Sequence, residues 1–351
     1  MPHRDLVVVG ASAGGVEVLR SLVAPLPADL PATLLVVLHL PEGGHSALPQ
    51  ILARAGRLQA RHPADNDRLR PGQILVAPPN HHLVVRDGIV RLSHGPTENG
   101  HRPAIDPLFR TAARWHGPRV IGVILSGTLD DGTAGQLAVA ARGGVTVVQD
   151  PADAVYPGMP RSVLEHVRVD HVVSAGGLGS LLDRLCREEF DGHGAGSAPP
   201  TMREEREEAA VVEIGHSQSP DPPGVPVGLG CPECGGALFE LRDEALIRYR
   251  CRVGHAWSPE TLLAEQSAGL ESALWVAVRT LDDRSALCRR AADAARERGH
   301  DYVAGRYDRQ RAEAEAAAQV LCQALVRAQR GIGDVPPDAT PVTLERPAGP
   351  A

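Results

Sequence analysis

The sequence predicts an α/β fold: a doubly wound, mainly parallel sheet with helices on both faces, followed by a small cysteine-containing module and a C-terminal helical hairpin. Short β-branched runs alternate with helical stretches through the first half of the chain. Leu6-Val7-Val8-Val9 reads as a buried strand, Gly10 to Gly15 as a turn and Val16 to Leu26 as a helix. Thr33 to Leu38, Val120 to Leu125 and Val145 to Val148 repeat the strand pattern. Near-continuous apolar strands separated by helices indicate a parallel sheet covered on both faces. One antiparallel excursion is expected, because Asp87-Gly88 joins His82–Arg86 to Ile89–Leu92 and suits a two-residue primed turn.

The chain has 351 residues, enough for two domains at about 100–200 residues each. Hydrophobic residues make up 43% but aromatics only 3%, so packing must rest on Val, Leu, Ile and Ala. The net charge is −7 with both signs interspersed, which argues against a nucleic-acid binder acting through a basic face. No apolar run approaches the ~20 residues that span a bilayer, so membrane insertion is not expected. Met1 to Asp5 runs straight into a strand, leaving no room for a signal peptide, and a cytoplasmic protein is expected.

Composition divides the chain into residues 1–190, an α/β domain; 191–227, a Gly-, Ser- and Pro-rich disordered linker; 228–260, the cysteine module; 261–330, a helical hairpin; and 331–351, a disordered tail. The hairpin follows from Leu262, Leu263, Leu270, Leu274, Val278 and Leu281 at helical spacing, with a break near Gly299.

Gly10-Ala11-Ser12-Ala13-Gly14-Gly15 joins a strand to a helix. That geometry lifts a serine hydroxyl above the carboxyl end of a sheet and sets backbone N–H groups beside it, where an oxyanion is stabilised. Two other readings compete: Ser12 as a helix cap, and a dinucleotide loop. Against the loop, Ser12 replaces the middle glycine of the fingerprint, and the second strand ends in Leu38-His39 rather than an acidic residue. His39 stands on the same rim as Ser12. The third strand exits into Ser126-Gly127-Thr128-Leu129-Asp130-Asp131-Gly132, an acidic loop that can orient an imidazole. The order Ser, His, Asp differs from that of the α/β-hydrolases.

With these elements in view, the first ~185 residues resemble the catalytic domain of the chemotaxis protein-glutamate methylesterases (the CheB type). The stretches that carry the resemblance are Gly10 to Gly15, His39-Leu40-Pro41, His101 to Phe109, Leu125 to Gly132, Gln149-Asp150 and Gly158-Met159-Pro160. The resemblance implies Ser12 as nucleophile, His39 as general base and acid, and Asp131, rather than Asp130, as the third member of a triad. It implies hydrolysis of glutamyl γ-methyl esters on the cytoplasmic helices of methylated chemoreceptors through an acyl-enzyme, with deamidation of glutamines as a second activity and no cofactor for catalysis. Ala13, Gly14, Thr128 and Met159 are the expected oxyanion- and substrate-proximal residues. Ala13 and Thr128 depart from the family pattern, which has a polar residue and a methionine there. Many members carry a preceding receiver domain; this chain starts at the first esterase strand, so fused phospho-gating is not expected. Arg102 and Asp106 read as a buried ion pair or cap at the start of a Pro107–Trp115 helix.

Cys231-Pro232-Glu233-Cys234 and Cys251-Arg252-Val253-Gly254-His255 give C-x2-C … C-x3-H. Four ligands on two tight knuckles suit a structural tetrahedral zinc in a zinc-ribbon-like module, filled by protein and so closed to catalysis. A redox Cys-x-x-Cys lacks the surrounding thioredoxin-like pattern. Cys186, Cys288 and Cys322 read as core residues on helices. The C-terminal helices read equally as a platform for a partner or dimer and as a hairpin packed on itself. Alternatives to the esterase reading are a serine esterase or amidase of the same fold acting on a non-chemotaxis protein, and a catalytically weak binding or scaffold protein.

Overall fold

Strand β1 (Leu6–Ala11) is buried along its whole length, and its alternate side chains feed two different cores. In the computed structural model, which describes residues 3–40, 46–190, 223–242 and 246–333, Val7, Val9 and Ala11 join one core while Leu6 and Val8 join the other. Strand β2 (Thr33–Leu38) divides its residues in the same way. The first core is closed by helices α1 (Gly15–Val23), α2 (Leu48–Ala55) and α6 (Ala175–Arg187). The second is closed by α3 (Ile105–His116), α4 (Thr133–Ala141), α5 (Gly158–His166) and the hairpin of β5 (His82–Arg86) and β6 (Ile89–Ser93). Helices on both faces explain why β1 and β2 carry apolar residues at almost every position.

The remaining strands of the main sheet are β3 (Gln59–Arg61), β4 (Gln73–Val76), β7 (Val120–Ile124), β8 (Val145–Gln149) and β9 (His171–Val173). Seven strands run in the order β3-β4-β2-β1-β7-β8-β9, every pairing parallel. The chain steps outward from β1 through β2 and β4, then returns to β7 on the other side of β1. The carboxyl end of β1 is therefore a point where connections diverge, the place where open α/β sheets bind ligands. The Asp87-Gly88 turn has positive φ at both residues, as a primed turn requires, and the hairpin stands apart from the main sheet. β3, β4 and β9 are short and carry weak strand signals, so only the longer strands were readable in advance.

Met1–Ala264 form one compact unit and Glu265–Ala351 a second. The cysteine module thus packs with the α/β domain instead of standing alone after a linker. Its four antiparallel strands are β10 (Val225–Gly230), β11 (Ala237–Arg242), β12 (Ile247–Cys251) and β13 (Ala256–Trp257). β10 starts three residues before the expected boundary at 228, and helix α7 (Pro259–Glu297) starts two before 261. Of the expected linker, residues 191–222 lie outside the described residues; of the expected tail, so do residues 334–351.

The second unit continues α7 and adds α8 (Asp301–Gly333), turning at Gly299, whose φ of 74° suits glycine. Ala292, Ala295 and Ala304 pack with Val303 and Tyr307 beside the turn, and Arg296–Asp308 and Ser285–Glu315 bond across the pair. Cys186 and Cys288 are buried, as expected, but Cys322 is exposed and belongs to no core. Among the described residues, no helix is long and apolar enough to cross a membrane.

Leu35, at the centre of β2 and fully buried, is a direct test of the double-core arrangement. Leu35→Ala is expected to cost about 2–5 kcal/mol of unfolding free energy, read by urea denaturation.

Candidate active site

The turn after β1 is fixed by backbone geometry before any side chain acts. The Ser12 N–H donates to Ser126 O at 3.0 Å, and Gly15 N–H closes back onto Ser12 O at 3.0 Å. Gly14, at φ 73°, begins α1, and a Cβ there would press on the Ser126 hydroxyl at 2.8 Å. Gly127 is equally constrained, since a Cβ would overlap the Met159 sulfur and come within 2.9 Å of Ser12 Cβ. The result is a half-buried serine at the carboxyl end of the central strand, beside the N-terminus of α1.

His39 follows β2, its N–H extending the ladder to Ala11 O at 3.2 Å. Its Nδ1 lies 3.2 Å from Ser12 Oγ and its Nε2 lies 2.7 Å from an Asp131 carboxylate oxygen. The structure thus brings together Ser12, His39 and Asp131 from the ends of β1, β2 and β7, and Asp130 does not reach His39. The His101 ring stacks on His39 at 3.7 Å between centroids, 21° from parallel. Burial, then the neighbouring His39 charge, push the His101 imidazole down to about 4, so near neutral pH it is a neutral plate against the His39 ring.

Asp131 is buried and its carboxylate is surrounded by donors. Ile105 N–H reaches one oxygen at 2.7 Å, and Asn99 Nδ2 and Asp106 N–H reach the other at 3.1 and 3.3 Å. Two of these donors are the first amides of α3, a favoured place for an anion. Burial alone would raise this carboxyl. The hydrogen bond and charge of His39, with the Ile105 amide, outweigh it and hold Asp131 well below the usual carboxylate range.

Two neighbouring carboxyls behave oppositely. Asp106 accepts the Gly135 N–H at 2.6 Å, and burial together with the Asp131 charge raises its carboxyl. Burial pushes Asp130 up to about 7 despite a hydrogen bond from Ser258 Oγ at 2.8 Å. Three clustered carboxyls cannot all ionise in a dry site, and the donors select Asp131. Of the expected ion pair or cap, neither forms: Arg102 bonds Asn80 and Gly95 O, while buried Asp106 turns inward to the Gly135 N–H in the first turn of α4 and caps no end of α3. Helix α3 also begins earlier than Pro107, at Ile105, which is what aims its first amides at Asp131.

The other residues singled out around Ser12 separate. Ala13 and Gly14 form the turn that leads into α1; the Ala13 carbonyl is held by the Ser126 hydroxyl at 2.8 Å, and among the described residues neither amide has a partner. Thr128 is exposed on the rim. Met159 is fully buried and its N–H is engaged by Gly127 O at 3.0 Å, so it packs beneath the turn and offers no free donor. A cavity of about 340 Å³ is lined by Asn99, Asp106, Asp130 and Ser258, but neither Ser12 nor His39 lines it. Ser12 is instead half-buried at the carboxyl end of β1. Asn99, His101, Ser258 and Thr261 had no role assigned from sequence. Asn99-Gly100 was readable as a turn and Ser258-Pro259 as a helix start, but neither pattern names a tertiary partner.

Cys231, Cys234, Cys251 and His255 place one ligand atom each within 4.8 Å of one another. His255 Nδ1 is 3.5 and 3.7 Å from the Cys251 and Cys231 sulfurs, and the Cys234 and Cys251 sulfurs are 3.7 Å apart. A tetrahedral ion at ~2.3 Å from sulfur and ~2.0–2.1 Å from nitrogen spaces its ligand atoms roughly 3.5–3.8 Å apart, so the four residues fit one. Glu233 lies 3.6 Å from His255 Nε2, a carboxylate placed to orient a ligating imidazole.

The chain is similar to known proteins over its first half. Residues 7–182 match the family model described as CheB methylesterase. A protein-glutamate methylesterase/protein-glutamine glutaminase of Geobacter metallireducens is 40% identical over 185 residues, covering 52% of this chain and 52% of that protein. One from Anaeromyxobacter dehalogenans is 44% identical over 163 residues, 46% of each chain. The chain spans about half the length of the curated relatives it matches. The crystal structure of the Thermotoga maritima CheB methylesterase catalytic domain is 33% identical, with a TM-score of 0.50, covering 52% of this chain and 98% of that one.

The raised Asp130 carboxyl has a consequence for stability. Unfolded, an aspartate titrates near 3.8; in the fold Asp130 does so near 7. Between those values the folded state holds the extra proton, so this group's contribution to stability is lost as pH rises from about 4 to 7 and is constant above. Asp130→Asn keeps an acceptor for Ser258 and removes the titration. Urea denaturation is expected to show the variant gaining on wild type from about pH 5 to pH 7, with the gap levelling near pH 8.

Proposed function

As the chain belongs to the CheB methylesterase family, we propose that it is a protein-glutamate methylesterase that uses Ser12, His39 and Asp131 as its triad. The observation that carries this is the unbroken line from Ser12 Oγ through His39 to a buried, multiply bonded carboxylate. In the reaction, Ser12 Oγ attacks the γ-carbonyl of a methylated glutamate as His39 Nδ1 accepts its proton. His39 returns that proton to the departing methoxide, giving methanol and an acyl-enzyme. It then takes a proton from water, whose hydroxide attacks the acyl carbon, and Ser12 leaves with the proton, releasing glutamate. Asp131 holds the imidazole in the tautomer with its hydrogen on Nε2 and stabilises the imidazolium that forms.

The oxyanion is assigned to the Ala13 and Gly14 amides at the start of α1, where partial positive charge gathers, with Thr128 on the substrate side. Backbone donors make the family's polar side chain after the nucleophile dispensable for this step, which is how Ala13 is accommodated. Met159 supports the turn by packing. The same acyl chemistry with ammonia as leaving group deamidates glutamine, the second activity in the names of the relatives. The substrate is a methylated chemoreceptor helix or a similar signalling protein, and the place of Ser12 at the carboxyl end of the sheet suits a side chain presented by another protein. Catalysis by these residues needs no cofactor. The protein is read as cytoplasmic, with the helices Pro259–Glu297 and Asp301–Gly333 available for a partner or a second copy.

The cysteine cluster is assigned a structural zinc held by Cys231, Cys234, Cys251 and His255. Bound there, the ion supplies folding energy to a module whose core, among the described residues, is small: Leu238, Trp257, Leu262 and two of the cysteines, with Val227 and Tyr249 packed against them.

Methanol release from a methylated receptor tests the catalytic reading. Ser12→Ala is expected to lower kcat roughly 10⁴–10⁶-fold with the fold intact by circular dichroism; a variant that turns over like wild type would falsify it. Metal analysis of the purified chain is expected to give about one zinc per chain, lost in Cys251→Ser; a fully folded, metal-free module rejects the zinc assignment.

A further inference from the structure

The segment Thr97–Asn99 joins two parts of the first compact unit. On one side, Asn99 Nδ2 donates to Asp131 at 3.1 Å. On the other, Asn99 Oδ1 accepts the Ser258 N–H at 3.0 Å and the Thr261 hydroxyl at 3.1 Å, both from the segment that opens α7. Asn99 N–H donates to Ala256 O at 2.8 Å, and Ala256 N–H donates to Thr97 O at 3.3 Å, so β13 is bridged to this segment immediately after the ligand His255. The Thr97 hydroxyl bonds Glu233, the carboxylate beside His255. Arg250, next to Cys251, reaches the buried Glu98 at 3.3 Å.

Asn99 itself is buried and has positive φ, 53°, an uncommon backbone state that is well tolerated by asparagine. Each polar atom of its amide faces a partner, so its orientation is decided by both sides at once. Ser258 caps α7, accepting the Thr261 N–H at 3.0 Å while donating to Asp130. The aspartate beside the triad carboxylate and the asparagine that touches it are therefore both set by one helix start.

We propose that the cysteine–histidine module is a positioning element of the active site, in which Ser258 and Thr261 orient Asn99, and Asn99 orients Asp131. This rests on reading Ser12, His39 and Asp131 as the reacting triad. The Cys251–His255 knuckle fixes the backbone that leads through Ala256 to Ser258, so a metal ion in the cluster stiffens the same line. Without that support, Asp131 keeps its Ile105 and His39 contacts but loses a donor to its second oxygen. The imidazole then samples poorer directions toward Ser12. Turnover falls while substrate contacts on the rim are untouched.

The test uses the full chain as wild type and as Asn99→Gly, Thr261→Val and Thr261→Ser. Asn99→Gly tolerates the positive φ while removing the amide, and Thr261→Val keeps the shape while removing the hydroxyl. Three readouts are taken: kcat and KM on a glutamyl methyl ester, the rate of Ser12 labelling by a fluorophosphonate, and the far-downfield proton resonance of His39 Nε2–H. Expected are a fall in kcat and labelling of about 10- to 100-fold for Asn99→Gly and about 10-fold for Thr261→Val, with KM within about twofold. The resonance should shift or broaden in both. Thr261→Ser should restore all three readouts, and zinc extraction by a chelator should reproduce the Thr261→Val pattern. If both variants and the zinc-extracted chain keep wild-type labelling and an unmoved resonance, losing only thermal stability, the module merely packs there and the proposal is wrong. A wild type that hydrolyses no glutamyl ester defeats the functional reading instead, while labelling and resonance still report whether the module positions the triad.

Discussion

A carboxylate buried in a protein interior is tolerated only when donors replace the water it has lost, and Asp131 sets that requirement at the centre of this fold. Its four donors come from the end of β2, the first amides of α3 and the Asn99 side chain. Each contributor has to arrive from a different part of the chain, so the strand order, the early start of α3 and the sharp Asn99-Gly100 turn are bound to one another. His39 is held from two directions in consequence: by the carboxylate in its plane and by the His101 ring stacked on its face.

The same burial shapes the electrostatics around it. Asp106 and Asp130 lie near Asp131, and without comparable donors their carboxyls rise while that of Asp131 falls. Ionisation is thereby concentrated on the group that faces the imidazole. Neighbouring carboxyls that ionise less readily add less repulsion to a site already costly to charge. Glu98 solves the problem differently: two arginines, Arg110 and Arg250, outweigh its burial and keep it low. One of those arginines belongs to the α/β domain and the other to the cysteine module, so the charge balance spans the packed unit.

Much of this was legible from the chain. The strands Leu6–Ala11 and Thr33–Leu38 are long, apolar and bounded by turn residues, and their positions follow from local pattern alone. Ser12, His39 and Asp131 were readable as candidates because each follows a strand in a fold where strand ends converge. The short strands Gln59–Arg61 and His171–Val173 were not, since three residues carry no period. The expected Arg102–Asp106 pair or cap also failed for a physical reason: Asp106 finds a backbone donor at Gly135, and Arg102 is drawn to Asn80 and a carbonyl.

Local chemistry by itself determined the doubly wound sheet, the glycine-shaped turn around Ser12, the four-ligand spacing of the cysteine module and the helix break at Gly299. These depend on residues near one another in sequence. Only the tertiary structure decided that the module packs with the α/β domain and that Ser258 and Thr261 reach Asn99, and it brings Asp131, the aspartate that the resemblance implied, onto His39. Such contacts join residues more than 90 or 150 positions apart. A serine or threonine at a helix start looks the same from sequence whether its hydroxyl faces water or a buried asparagine, because the partner is chosen by packing.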